Sequence, residues 1–199
     1  MTVNPKAGDR RKPDHAIERI FTDRWSPRAM SGEPLTDAEL LRLFEAARWA
    51  PSSYNEQPWR FLYAKRAAAH WEAFFNLLLP ANQAWCRNAG ALALVVSKRT
   101  FSQNGKPNGV HVFDAGSAWQ NLALQGSQMG LVVHAMAGFD WDKARPALAV
   151  PEDFSVCAMI AIGRPGSESV LPEEMRKMET PSPRKPVREF AFEGKFPAR

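Results

Sequence analysis

Three polar clusters in this 199-residue chain have the composition of ligand contacts. In "RWSPR" (24 to 28), Arg24, Ser26 and Arg28 alternate. Two guanidinium forks and a hydroxyl at that spacing can converge on a phosphate, although a solvated basic loop would use the same residues. In "RWAPSSYNEQPWRF" (48 to 61), Pro51, Ser52, Ser53, Asn55, Gln57 and Pro58 crowd into one connection between aromatic anchors. Plain connections are short and use generic turn residues, so this one reads as a loop built to hydrogen-bond something. The third cluster is "RKP" (184 to 186), in a basic C-terminal segment.

Other chemistries lack their signatures. There is no G-x-G-x-x-G and no G-x-x-x-x-G-K-[ST], hence no support for a Rossmann site or a P-loop. Without a G-x-S-x-G elbow, Ser52 and Ser53 are poor hydrolase nucleophiles. His15, His70, His111 and His134 have no metal-ligand spacing with each other or with a cysteine, so no metal site is expected. Cys86 and Cys157 stand far apart in apolar settings, which argues for a reducing compartment and against a disulfide scaffold. No apolar run is long enough to span a bilayer and the N-terminus lacks a signal-peptide core, so the expectation is a cytoplasmic protein without a membrane partner.

The net charge of +5 raises the question of nucleic acid. Residues 1 to 28 carry seven Lys/Arg against four Asp/Glu, residues 164 to 199 carry eight against six, and the stretch between balances at eleven each. A nucleic-acid binder more often carries a basic stripe along a core face. Basic ends could be loose tails, or they could fold back and meet at one small anionic group. Nucleic acid is therefore not expected as a partner.

The elements that must position these clusters follow from periodicity. A short helix is predicted over 17 to 24. "TDAE" at Thr36 is a capping box with Glu39, opening a helix whose apolar face is Leu40, Leu43, Phe44 and Ala47 and which ends before Pro51. "WRFLYAK" (59 to 65) and the buried "ALALVVSK" (91 to 98) read as strands. "AAAHWEAFFNLLL" (67 to 79) reads as a helix, with a shorter one after Pro80, and "RTFSQNGKPNG" (99 to 109) as a loop. A long helix runs from about Val110 to Met129, stopped by Gly130. "LVVHAMAGF" (131 to 139) is a strand entering a glycine turn, Asp140 caps a short helix, and "SVCAMIAIG" (155 to 163) is the last core strand. "VREFAFEGKF" near the C-terminus is imperfectly strand-like. Residues 15 to 199 are expected to form a single domain behind a flexible basic tail at 1 to 14.

Taken in order, R-x-S-x-R, "ARWAPSSYNEQPWRF", "NQAW", "FDAGSAWQNLALQGSQMGL", "HAMAGFD" and "RKPVREFAFEGK" resemble the FMN-dependent nitroreductase family over roughly residues 15 to 195. The resemblance implies an α+β fold: a three-layer α/β/α sandwich on a mainly antiparallel central sheet, with a C-terminal segment exchanged with the partner subunit. It implies a homodimer with composite active sites, in which Pro51, Ser52, Ser53 and Asn55 reach FMN bound mainly by the other protomer. Arg24, Trp25, Ser26 and Arg28 match positions that hold the phosphate, ribityl chain and pyrimidine edge. Arg184 and Lys185 match C-terminal phosphate contacts. Asn82 matches an asparagine at the pyrimidine end of the ring, and Met136, Ala137 and Gly138 match the turn whose backbone N–H faces flavin N5.

FMN suits these residue types, since its dianionic phosphate fits clustered arginines and its amide-like edges fit Asn, Ser and backbone groups. The implied activity is ping-pong hydride transfer from NAD(P)H through FMN to a small-molecule acceptor, a nitroaromatic, a quinone or a related electrophile. No side chain is expected to act as a catalytic acid or base. Alternatives within the fold are dehalogenating, ring-oxidising or flavin-degrading members, or a flavin-binding protein with little turnover. Two positions depart from the family: Ala137 stands where some members have glutamate, and Trp85 where some have lysine. Trp85 could be core or a wall of the ring pocket, and His134 reads as a satisfied core histidine.

Overall fold

Strands form where apolar residues occupy both parities of the sequence, because both faces of the sheet are covered. The computed structural model describes residues 7–197. Four strands, β1 (Trp59–Lys65), β2 (Ala91–Lys98), β3 (Val132–Met136) and β4 (Phe154–Gly163), pair in the order β1-β2-β4-β3, each antiparallel to its neighbour. On one face, Leu92, Leu94, Val96, Val132 and Met159 meet Trp71, Phe74, Trp85 and Cys86. On the other, Ala91, Ala93, Val95, Val133, Ile160 and Ile162 meet Leu40, Leu43, Ala47, Ala118 and Leu122. Alternating side chains thus build two cores from one sheet, which explains the unbroken apolar run of β2 and gives the α/β/α layering.

The helices are set by local signals. In α2 (Asp37–Arg48), Thr36 Oγ1 accepts the Glu39 N–H while the Glu39 carboxylate accepts the Thr36 N–H, so the capping box forms as expected. The long helix α5 (His111–Gln128) packs against α2 and ends before Gly130, whose φ of 70° lies in the left-handed region. It carries the chain from β2 across to β3, leaving β4 to insert between them. The short helix after Asp140, α6 (Trp141–Ala147), is capped as predicted, with Asp140 Oδ1 accepting the Lys143 N–H. A short α1 (Arg19–Asp23) precedes the R-x-S-x-R loop.

Two expectations are corrected. The segment 67 to 79 is not one helix: only α3 (Trp71–Phe75) is helical, followed by α4 (Pro80–Cys86). Its end is captured instead by the glycine turn after β3, where Leu79 N–H donates to Gly138 O, Asp140 N–H donates to Leu77 O, and Leu78 bridges Phe139. Tertiary pairing outcompetes the helical periodicity of 77 to 79. The C-terminal "VREFAFEGKF" is not a strand within the protomer: Val187–Glu189 form one 3-10 turn, and Phe190, Phe192 and Phe196 are exposed. Among the described residues no strand of the same chain lies beside it to complete a ladder.

Candidate functional site

The R-x-S-x-R loop is anchored through its backbone. The Pro27 carbonyl oxygen lies 2.9 Å from His134 Nδ1, Arg28 and Ala29 donate their N–H groups to the buried Glu179 carboxylate, and the Ala29 carbonyl accepts the Gly166 N–H. With the backbone held from three sides, the side chains of Arg24, Trp25, Ser26 and Arg28 line a recess of about 270 Å³ together with Arg11, His134, Thr180, Ser182 and Arg184. The basic clusters from both ends of the chain therefore do meet in one corner, at the head of β3.

Its charge balance is one-sided. The pKa of Arg24 is lowered first by burial and then by repulsion from Arg184, and that of Arg11 by burial, Arg184 and Arg24 in turn. Guanidinium groups stay charged in proteins, so these shifts express an electrostatic cost that a bound anion would relieve. Arg24 Nη1 also donates to Ser26 Oγ at 3.1 Å, pre-aligning the two. Burial lowers the pKa of His134 most, against a rise from the Pro27 carbonyl. Because a carbonyl only accepts, His134 carries its proton on Nδ1. His134 is the satisfied strand histidine the sequence suggests, and it also forms part of the recess wall.

From this corner the wall continues along β3. The His134 ring packs on Trp85 with centroids 4.7 Å apart, Trp85 Nε1 donates to Asn82 Oδ1 at 3.1 Å, and Asn82 Nδ2 donates to Gly138 O at 2.9 Å. The four steps from His134 to Gly138 span roughly 13 Å of extended chain. Trp85 is buried at 2% exposure, a core residue whose indole N–H orients Asn82. At Gly138 any side chain would collide with Asn82 Nδ2, so glycine is required by that approach. The Gly138 N–H makes no hydrogen bond among the described residues. Met136 is buried, where its sulfur takes the Cys86 thiol; Ala137 is exposed beside the turn.

The loop at 51 to 57 lies elsewhere. It enters β1, at the opposite edge of the sheet from β3, and contributes nothing to the arginine recess. Its backbone is bent: Tyr54, Asn55 and Gln57 have φ values of 51°, 54° and 50°, a conformation that costs a non-glycine residue about 1 kcal/mol or more. Supporting bonds hold it there. Ser53 N–H donates to the buried Asp114 carboxylate of α5, Gln57 N–H to Ser52 Oγ, and Gln57 Nε2 to Asn55. Glu56 accepts from both the N–H and the hydroxyl of Ser102. Pro51, Tyr54 and Asn55 remain exposed.

A model of the nitroreductase family matches residues 21–164. This chain belongs to the nitroreductase family. A solved oxidoreductase containing FMN is 40% identical and superposes with a TM-score of 0.91 over 95% of this chain and 97% of its own. A provisionally named nitroreductase from Desulfovibrio desulfuricans, solved in complex with FMN, is 27% identical with a TM-score of 0.70 over 90% and 96% of the two chains. A protein of Polynucleobacter asymbioticus, provisionally named an NADH dehydrogenase/NAD(P)H nitroreductase, is 24% identical over 82% of this chain and 92% of its own. The nitroreductase α+β fold expected from the sequence is the fold observed.

Against this family background the placements divide. Arg24, Trp25, Ser26, Arg28 and Arg184 come together in one recess; Asn82, Met136, Ala137 and Gly138 form the adjoining wall; Pro51, Ser52, Ser53 and Asn55 stand apart. Lys185 does not line the recess but a neighbouring cleft of about 600 Å³ between the two terminal segments, shared with Arg11 and Arg184. Sequence reasoning missed Arg11 and Glu179. Arg11 falls in the expected tail, yet its guanidinium donates to Thr22 O, Arg24 O and Ser182 O, and the neighbouring Ala7 is buried. No local pattern marks either residue, since both act on partners far away in the chain. Among the described residues, no helix is long and apolar enough to cross a membrane, and no cluster of His, Cys, Asp and Glu could hold a metal ion.

Proposed function

We propose that this chain is an FMN-dependent oxidoreductase that takes electrons from NAD(P)H and delivers them to a nitroaromatic, a quinone or a related electrophilic acceptor. The observation that carries this reading is the convergence of Arg24, Arg28 and Arg184 on one recess that continues through His134, Trp85 and Asn82 to the open N–H of Gly138. An anion-collecting end joined to a polar edge along β3 suits a phosphate and a flat heterocycle at opposite ends of one ligand. When bound, FMN supplies the two-electron carrier that accepts hydride from a nicotinamide and releases it to the acceptor.

The chain's own residues bind and orient. Arg24, Arg28 and Arg184 neutralise the phosphate dianion, with Ser26 as an additional donor. Asn82, with one N–H and one lone pair already committed, keeps one of each for the edge of the ring. The Gly138 N–H offers a backbone donor that any residue except proline would retain. Ala137 brings no charge to the turn, and within this recess the positive charge comes from the arginines. In this reading the hydride steps need an open face above the ring, and no side chain is assigned as their acid or base.

The site is completed, in this reading, by a second protomer in a homodimer. The exposed Tyr54 and Asn55, the left-handed loop that presents them, and the exposed Phe190, Phe192 and Phe196 support both a partner-supplied contact and an exchanged C-terminal arm. The deciding experiment is an absorbance spectrum of the purified protein followed by anaerobic addition of one equivalent of NADPH or NADH. A flavin spectrum that bleaches is expected. A flavin that persists with both donors would overturn the nicotinamide step, and a protein that stays colourless after addition of FMN would overturn the site.

A further inference from the structure

Glu179 is a buried acidic side chain beside the arginine corner, 5% exposed and bonded to the Arg28 and Ala29 N–H groups. A buried carboxylate is costly unless donors compensate it, and in a corner that gathers positive charge it also competes with the incoming anion. Its geometry shows what offsets that cost. Oε1 accepts both the Arg28 and the Ala29 N–H, the latter at 2.8 Å, across a separation of 151 and 150 residues. Among the described residues Oε2 has no hydrogen-bond partner, but it forms an ion pair with Arg28 Nη1 at 3.7 Å, longer than a hydrogen bond. The carboxylate therefore grips the backbone of the loop by hydrogen bonds and faces its guanidinium at longer range. It lies five positions before Arg184, on the segment that brings that side chain into the recess.

We propose that Glu179 is the positioning residue of the phosphate corner: by holding the Arg28 and Ala29 N–H groups it fixes where Arg28 projects and ties the Arg184 segment to the same backbone. The inference rests on the reading of this corner as the FMN phosphate site. Pre-setting two guanidinium groups before the ligand arrives lowers the ordering cost of binding, and that gain belongs to the phosphate alone. Riboflavin, which has the ring and ribityl chain but no phosphate, is the probe that isolates it.

The experiment measures the affinities of the apoprotein for FMN and for riboflavin, in the wild type and in E179Q, E179D and E179A, with thermal melting of each apoprotein as the folding control. The wild type is expected to prefer FMN by roughly a hundredfold or more, the contribution of a charge-assisted phosphate contact. E179D, one methylene too short to reach both donors, and E179A should narrow that preference by about tenfold or more. E179Q retains an acceptor oxygen and should stay within about threefold of the wild type. Should E179A fail to fold, E179D carries the comparison. Equal losses for both flavins in E179D, an unchanged preference, or an E179Q that falls with E179D would overturn the proposal. A wild type indifferent to the phosphate would overturn the reading beneath it as well, which keeps the two failures distinct.

Discussion

The arginine recess and the 51 to 57 loop are both rich in hydrogen-bonding groups, but they are finished differently. In the recess the backbone is braced from outside by His134, Glu179 and Gly166, and the polar side chains converge inward on shared space. In the loop the bracing runs the other way: the Ser53 N–H and the Ser52 and Glu56 side chains satisfy the fold, while Tyr54, at 84% exposure, and Asn55 face outward. One region is a container within a protomer. The other is an outward-facing surface held in a strained shape, the part that the proposed homodimer would use across its interface.

The largest expected effect tests the container. Replacing both Arg24 and Arg28 with alanine should weaken FMN binding by roughly a hundredfold or more, with the apoprotein melting close to wild type. Equal losses in folding and binding would make the corner a structural brace instead. The presenting surface is tested by complementation. Arg24→Ala and Asn55→Gly dimers should each be impaired, glycine being chosen because the φ of 54° at Asn55 would strain alanine. Isolated heterodimers of the two should regain about half of the wild-type activity, because two-fold symmetry leaves one site with both native residues. Heterodimers that recover nothing would place both regions in one protomer's function and dissolve the contrast.

A smaller effect separates the two ends of the wall. Gly138→Ala drives Asn82 from its place and should cost about tenfold in affinity for FMN and riboflavin alike, leaving the preference for phosphate unchanged. A changed preference would show that the ends are mechanically coupled. The smallest concerns acid. Burial lowers the folded pKa of His134 below its ordinary 6.5, so as pH falls through that value the unfolded chain takes up a proton that the folded chain resists, and stability declines. Apoprotein carrying His134→Gln should lose less of its melting temperature between neutral pH and pH about 5 than wild type. An identical decline would show that His134 does not titrate differently in the two states.

What the sequence makes legible divides along similar lines. Thr36 with Glu39, the strands at 59 to 65 and 91 to 98, and the Gly130 stop are all encoded within a few residues, and each is found where its local pattern puts it. The meeting of the two basic ends could be posed as a question but not answered, because nothing in "RWSPR" or "RKP" specifies the distance between them. Glu179 and Arg11 are illegible for the same reason: in sequence each is one more charge in a charged segment, and only the fold reveals the carbonyls and N–H groups they serve. The segment 67 to 79 misleads where a remote partner decides, the turn at Gly138 pairing with 77 to 79.

The strand order carries a consequence for biogenesis. β4 is made last and sits in the middle, so while the ribosome has delivered only the first three strands, β2 and β3 each present an open edge, and β2 is among the most apolar stretches of the chain. Such sequence-distant pairing is slow to form and exposed to aggregation in the meantime. The Glu179 and Arg184 segment emerges later still. A nascent chain can therefore close its sheet before its arginine corner is assembled, so that corner is no seed for folding.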